Sequence, residues 1–217
     1  MIETQTSHPR FLSIEGGEGA GKSSLIRAIQ DQLAAQGHTV TLTREPGGTP
    51  VAERIREVLL TGGEEAICDH AELLLMFAAR AQHLEHVIRP ALARGDYVIC
   101  DRFIDSSYAY QGAGRGMPLD TIASLERMVV DVVPSLTLLL DLDVKQGTQR
   151  ARSRPGTPDR IEVEHQAFFE RVRQGYRSRA DADPERIRVI DASQPMKHVQ
   201  QDALSVVADW MELPCSA

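Results

Sequence analysis

The segment Gly16-Gly17-Glu18-Gly19-Ala20-Gly21-Lys22-Ser23 fits G-x-x-x-x-G-K-[ST] at every fixed position. This pattern works only between a strand and a helix, so it constrains the whole chain. The flanks comply: apolar Phe11-Leu12-Ser13-Ile14 precedes it, and Leu25, Ile29 and Leu33 follow at helical spacing. The glycines let the backbone turn sharply with its N–H groups inward, and the new helix adds the positive end of its dipole. Such a loop cradles a polyphosphate. Lys22 is placed to reach the β- and γ-phosphates and the Ser23 hydroxyl to ligand Mg²⁺. A glycine turn without a ligand would need neither residue.

Strand-like and helix-like stretches alternate through the rest of the chain, which predicts a parallel sheet covered on both faces. Strands are expected at 11–14, 39–43, 97–102, 136–141 and 186–190. Helices are expected at 23–36, 50–60, 71–94, 106–110, 119–130, 144–152, 163–180 and 196–212. Gly37 stops the first helix, Gly62-Gly63 ends the second, and Pro90 kinks or divides the long third one. The run Leu136-Thr137-Leu138-Leu139-Leu140 is apolar on both faces, as a central parallel strand should be. The fold class is therefore α/β: a three-layer α/β/α P-loop NTPase fold with a five-stranded parallel sheet. One domain over 10–213 is expected behind a disordered polar tail at 1–9.

The chain has 217 residues, 42% of them hydrophobic and 25% charged, enough for a sizeable core. Its net charge of -7 argues against nucleic acid or a membrane surface as partner. No apolar run approaches a membrane span, and the first nine residues lack a signal peptide's apolar stretch. The three cysteines (Cys68, Cys100, Cys215) show no metal-ligand spacing, and Cys100 ends an apolar strand as a buried thiol. A cytoplasmic location fits.

A phosphate loop alone does not separate a kinase from a GTPase or a motor. The sequence contains no asparagine, which excludes the Asn-Lys-x-Asp element that reads guanine. Residues 144–180 carry nine basic against four acidic side chains, a local excess that points to a bound anion. Arg154 and Arg160 flank a Pro-Gly hinge, as in a lid at 150–162 closing on a triphosphate. Arg171, Arg173, Arg177 and Arg179 are expected on a solvated helix face.

The phosphate loop with Glu18 inside it, Arg44-Glu45-Pro46-Gly47-Gly48-Thr49, Asp101-Arg102, Ala109-Tyr110-Gln111-Gly112 and Arg154 with Asp159-Arg160-Ile161-Glu162 together resemble bacterial thymidylate kinases. Their order and spacing agree across nearly the whole chain. The resemblance implies transfer of the γ-phosphoryl group of ATP to dTMP with Mg²⁺, a place in dTTP biosynthesis, and a homodimer. Rival readings are a kinase for another nucleoside monophosphate or a deoxynucleoside, and a hydrolytic nucleotide switch.

The resemblance also implies site roles. ATP is held by Gly16, Gly17, Glu18, Gly19, Ala20, Gly21, Lys22, Ser23 and Ser24, with Arg150. Asp101 resembles the acid that organises Mg²⁺ alongside Ser23; as a plain strand-end residue it would cap a helix. Arg102 and Arg56 resemble the clamp on the acceptor phosphate, and guanidinium's planar fork suits that task. Glu18 lies where the family places a carboxylate near the sugar 3′-hydroxyl. With no arginine in the phosphate loop, charge comes from the lid through Arg154, with Arg150, Arg152 and Arg160 in support. Around dTMP stand Glu45 and Pro46, then Arg80, Ser107, Tyr110 and Gln111 for the base, Tyr110 also crowding the sugar 2′ position. The base-stacking aromatic falls at Met76 here, with Phe77 next to it, so either covers the base. The loop Asp191-Ala192-Ser193-Gln194-Pro195 is expected against adenine. His83 and His86 lack a third metal ligand, Asp141 and Asp143 suit turn roles, and Trp210 packs the last helix to the body.

Overall fold

In the computed structural model, which describes residues 5–61, 65–153 and 159–212, strand and helix alternate from the first element to the last. The strands are β1 (Thr6–Gly16), β2 (Val40–Arg44), β3 (Tyr97–Asp101), β4 (Val132–Asp141) and β5 (Ile187–Asp191). They are parallel and lie in the order β2-β3-β1-β4-β5. The helices are α1 (Lys22–Ala35), α2 (Pro50–Leu60), α3 (Asp69–His83), α4 (Arg89–Ala93), α5 (Ile104–Ser107), α6 (Leu119–Val129), α7 (Val144–Arg152), α8 (Gln166–Ala182) and α9 (Met196–Glu212). Arg154, the hinge at 155–158, Gly62-Gly63, Cys215 and the side chain of Arg152 fall outside the described residues.

Alternation along β1 divides the core. Leu12 and Ile14 face α1 and α9 with Leu25, Ile29, Leu33, Val207 and Trp210. Phe11 faces the other layer with Leu73, Phe77, Ile88, Phe103 and Ile122. Trp210 packs as expected, edge-on to Tyr97 at 5.7 Å, with its indole N–H on Ser135 Oγ at 2.8 Å. The connection leaving β1 runs to β2 on one side of the sheet and the one leaving its neighbour β4 runs to β5 on the other, and ligands bind beyond the carboxyl ends of strands at such a point. Those ends carry Gly16, Arg44, Asp101, Asp141 and Asp191.

Two expectations need correction and a third is refined. The segment from Thr6 is strand rather than tail, because Thr6, Ser7 and His8 pair with Val132, Val133 and Pro134 of β4. Backbone groups make those bonds whatever the side chain, so hydropathy does not reveal them. The helix at 71–94, expected to be kinked or divided by Pro90, is indeed divided: α3 and α4 are separated by a π-turn, Leu84–Ile88. Pro90 has no N–H and its ring would crowd the carbonyl of residue 86; the widened turn absorbs the misfit. Finally, the α8 arginines do not form a uniformly solvated face: Arg171 and Arg177 are exposed, but Arg173 and Arg179 are half-buried. Arg173 grips Asp141 through two bonds of 2.7 and 2.9 Å, Arg171 donates to the Gly114 carbonyl at 2.8 Å, and Arg179 donates to buried Asp105 at 2.9 Å. Asp141 is therefore an ion-pair partner, whereas Asp143 caps α7 by accepting from the Lys145 and Gln146 amides.

Candidate active site

Gly16 ends β1 at φ 137°, and a Cβ there would lie 2.6 Å from the Leu140 carbonyl oxygen. At φ 94°, Gly21 supplies the left-handed turn into α1, whose first turn carries no acidic residue and whose cap makes no side-chain bond. Its leading amides therefore stay available to an anion. Lys22 Nζ rests on the Gly16 and Gly17 carbonyls at 3.1 Å each. Burial, with the Arg102 charge next, lowers its pKa to about 8. The protonated amine binds phosphate, so kcat/KM for ATP, which reports free-enzyme groups, should be highest below pH 8. It should fall as pH rises through about 8. In Lys22→Arg that limb should disappear; an unchanged profile would assign the titration elsewhere.

Among the described residues, three buried side-chain atoms have no hydrogen-bond partner: Asp101 Oδ1, Tyr110 OH and Gln111 Oε1. Orphans of this kind are costly and mark places where a ligand completes the bonding. All three belong to residues named above from sequence. Asp101 Oδ1 is an anionic oxygen at the sheet's carboxyl edge, and the Ser23 hydroxyl is exposed on the first turn of α1. No cluster of three or more metal-ligating side chains occurs among the described residues. A cation held by few protein oxygens plus phosphates is the habit of Mg²⁺, so this donor set fits it.

Arg102 stands between the loop and a second cavity. Its Nη1 donates to the Gly16 carbonyl and to the Tyr176 hydroxyl, both at 2.9 Å; its Nη2 donates to Glu18 Oε1 at 2.7 Å. The guanidinium lies over the Tyr110 ring at 5.0 Å. Its backbone is left-handed, φ 69°, which side chains adopt only when the surroundings enforce it.

Beyond Arg102 lies a cavity of about 90 Å³. Glu18, Glu45, Pro46, Arg56, Met76, Arg80, Arg102 and Tyr110 line it, as the sequence implies. Phe77 does not: it is buried in the core with the Arg80 guanidinium 4.9 Å above its ring, so Met76 is the residue on the cavity. Arg80 is fixed by Glu45 at 2.8 Å, Ser107 at 3.1 Å and the Phe103 carbonyl at 3.2 Å. Arg56 donates to the Pro46 carbonyl at 2.9 Å. The Gln111 amide donates to Glu72 at 2.9 Å. A larger cleft of about 970 Å³ opens on the other flank of Gly16, Gly17 and Glu18, between α7 and α8.

The two described lid arginines differ. Arg150 donates to the Ala192 carbonyl at 2.9 Å, joining α7 to the loop expected against adenine. Arg160 binds Glu72 and the Leu59 carbonyl, and its neighbours Asp159 and Ile161 line the smaller cavity. Sequence reasoning also missed Glu15, Glu72, His83 and Tyr176. His83 is buried against Glu45 at 3.0 Å, orienting that carboxylate, while His86 is exposed. The signal for Glu15 was present: a lone carboxylate ending an apolar strand.

A family model for thymidylate kinase matches residues 14–203. A thymidylate kinase of Alcanivorax borkumensis is 53% identical over 94% of this chain and 99% of its own. One of Pseudomonas fluorescens strain SBW25 is 59% identical over 89% of this chain and 93% of its own. Among solved structures, thymidylate kinase from Ehrlichia chaffeensis superposes with a TM-score of 0.73 at 32% identity, covering 91% of this chain and 97% of that one. With a family model over most of its length, relatives more than half identical, and the phosphate loop and left-handed Arg102 together at the carboxyl ends of β1 and β3, the chain belongs to the thymidylate kinase family.

Proposed function

We propose that this chain transfers the γ-phosphoryl group of ATP to dTMP, giving ADP and dTDP. The observation that carries the reading is Arg102, which touches the phosphate loop at Gly16 and the acceptor cavity at Glu18 and Tyr110. The acceptor oxygen is already anionic, so no strong general base is needed. The obstacle is bringing two polyanions together, and the remedy is positioning with charge neutralisation. Lys22 leaves the loop carbonyls for the β- and γ-phosphates, and Arg102 with Arg56 takes the dTMP phosphate. Ser23 and Asp101 would hold Mg²⁺, which would supply charge neutralisation to the triphosphate. Arg150 flanks the adenine, and Arg154 supplies lid charge. Arg160 belongs to the acceptor roof rather than to the triphosphate.

Arg80 and Gln111 suit a base offering carbonyl acceptors and one N–H, which the orphaned Gln111 Oε1 accepts. Met76 covers the ring, and Tyr110 crowds the 2′ position. Exposed apolar side chains on packed helices α3 and α6, Leu74, Leu119 and Met128, suit a homodimer contact. Function in the cytoplasm fits this chemistry, and no helix among the described residues is long and apolar enough to cross a membrane. The test is ADP formation with dTMP, dUMP, dCMP, dGMP, AMP and CMP in turn. The highest kcat/KM should be with dTMP, and preference for any other acceptor would overturn the substrate assignment.

A further inference from the structure

Glu15 ends the apolar run of β1 and is fully buried, yet nothing in the phosphoryl-transfer scheme above uses it. Its Oε1 accepts from the Phe103 amide at 2.7 Å, and its Oε2 from the Ser106 hydroxyl at 2.7 Å and the Tyr176 hydroxyl at 2.8 Å. Two of these bonds converge on Arg102. The Arg102 amide donates to the Ile14 carbonyl at 3.0 Å and the next amide, Phe103, to Glu15, so adjacent β1 residues hold the backbone on both sides of the left-handed residue. The Tyr176 hydroxyl that donates to Glu15 also accepts from Arg102 Nη1 at 2.9 Å. One carboxylate thus fixes both the backbone and the guanidinium of Arg102.

We propose that Glu15 is a positioning residue for acceptor binding, aiming Arg102 at the dTMP phosphate through the Phe103 amide and the Tyr176 hydroxyl. The proposal rests on the reading of Arg102 given above. Burial, then the charge of Asp105, pushes the Glu15 carboxyl up to about 7, while Ser106, Arg102 and the Phe103 amide oppose that rise. A carboxyl kept at such cost beside a binding site is characteristic of functional placement.

The test is a double-mutant cycle with Glu15→Gln and Arg102→Ala, reading dTMP Kd by calorimetry, KM for each substrate and the melting temperature. Glu15→Gln should weaken dTMP about tenfold, the scale of losing charge-assisted bonds, and leave KM for ATP within about twofold. Adding Glu15→Gln to Arg102→Ala should cost nothing further in dTMP Kd, since coupled residues are not additive. If Arg102→Ala itself leaves dTMP affinity intact, the clamp reading fails. If Arg102→Ala weakens dTMP but Glu15→Gln does not, lowers only the melting temperature, or multiplies with it in the double variant, the positioning role is overturned. Should Glu15→Gln fail to fold, Tyr176→Phe replaces it in the cycle, with a weakening of about fivefold expected on the same grounds.

Discussion

Lys22→Ala lowers kcat by about a thousandfold at saturating ATP and dTMP, the scale of removing one preorganised electrostatic partner from a phosphoryl-transfer site. The melting temperature does not fall with it. In the resting fold the ammonium is buried near the Arg102 charge and contacts two loop carbonyls, and its pKa has dropped to about 8. A lysine whose folded pKa lies below its unfolded value destabilises the fold wherever it is charged, so removing it relieves the fold. Its contribution appears only once phosphate charge arrives to pair with it. Steady-state kinetics and a thermal melt on one preparation check both halves. Retained kcat, or activity lost through unfolding, contradicts the role given to Lys22.

Arg102→Ala lowers kcat/KM for dTMP by about a thousandfold, since a forked, charge-assisted contact to phosphate is lost and the Arg102–Glu18 ion pair is lost with it. ATP affinity changes by no more than a few fold, because the loop amides and Lys22 remain. Arg102→Lys recovers little of the loss. A single ammonium cannot hold Gly16, Tyr176 and Glu18 together as the guanidinium does. Initial rates with dTMP varied at fixed ATP, and the reverse, separate the two effects. Equal losses toward both substrates would place Arg102 on the triphosphate instead.

The parts of the candidate site whose place in the fold is legible from sequence are those whose geometry is local. Gly16 to Ser23 specify a strand, a turn and a helix within one short stretch, and Asp101 and Arg102 follow an apolar strand whose end must lie at the ligand-binding edge. Adjacent positions on a helix are harder. Met76 and Phe77 differ by about 100° on the wheel, within the width of an apolar stripe, and only the Arg80 guanidinium over Phe77 shows which faces the core. Arginine partners were least legible. Arg160 was expected at the triphosphate because it follows a hinge in a basic segment, yet it is held by Glu72 and Leu59 from α3 and α2. Arg173 and Arg179 likewise meet Asp141 and Asp105 through contacts that only tertiary folding creates. Charge counting finds an excess of cations but not what neutralises each one.

The decisive measurement uses adenosine and thymidine joined 5′ to 5′ through a polyphosphate chain, titrated into the protein by calorimetry and tested as an inhibitor. On the proposed arrangement, with the two nucleotides end to end across Arg102, the joined molecule should bind once per chain, compete with both ATP and dTMP, and exceed the affinity of either alone. Competition with only one of them, or two independent binding events per chain, would contradict that arrangement.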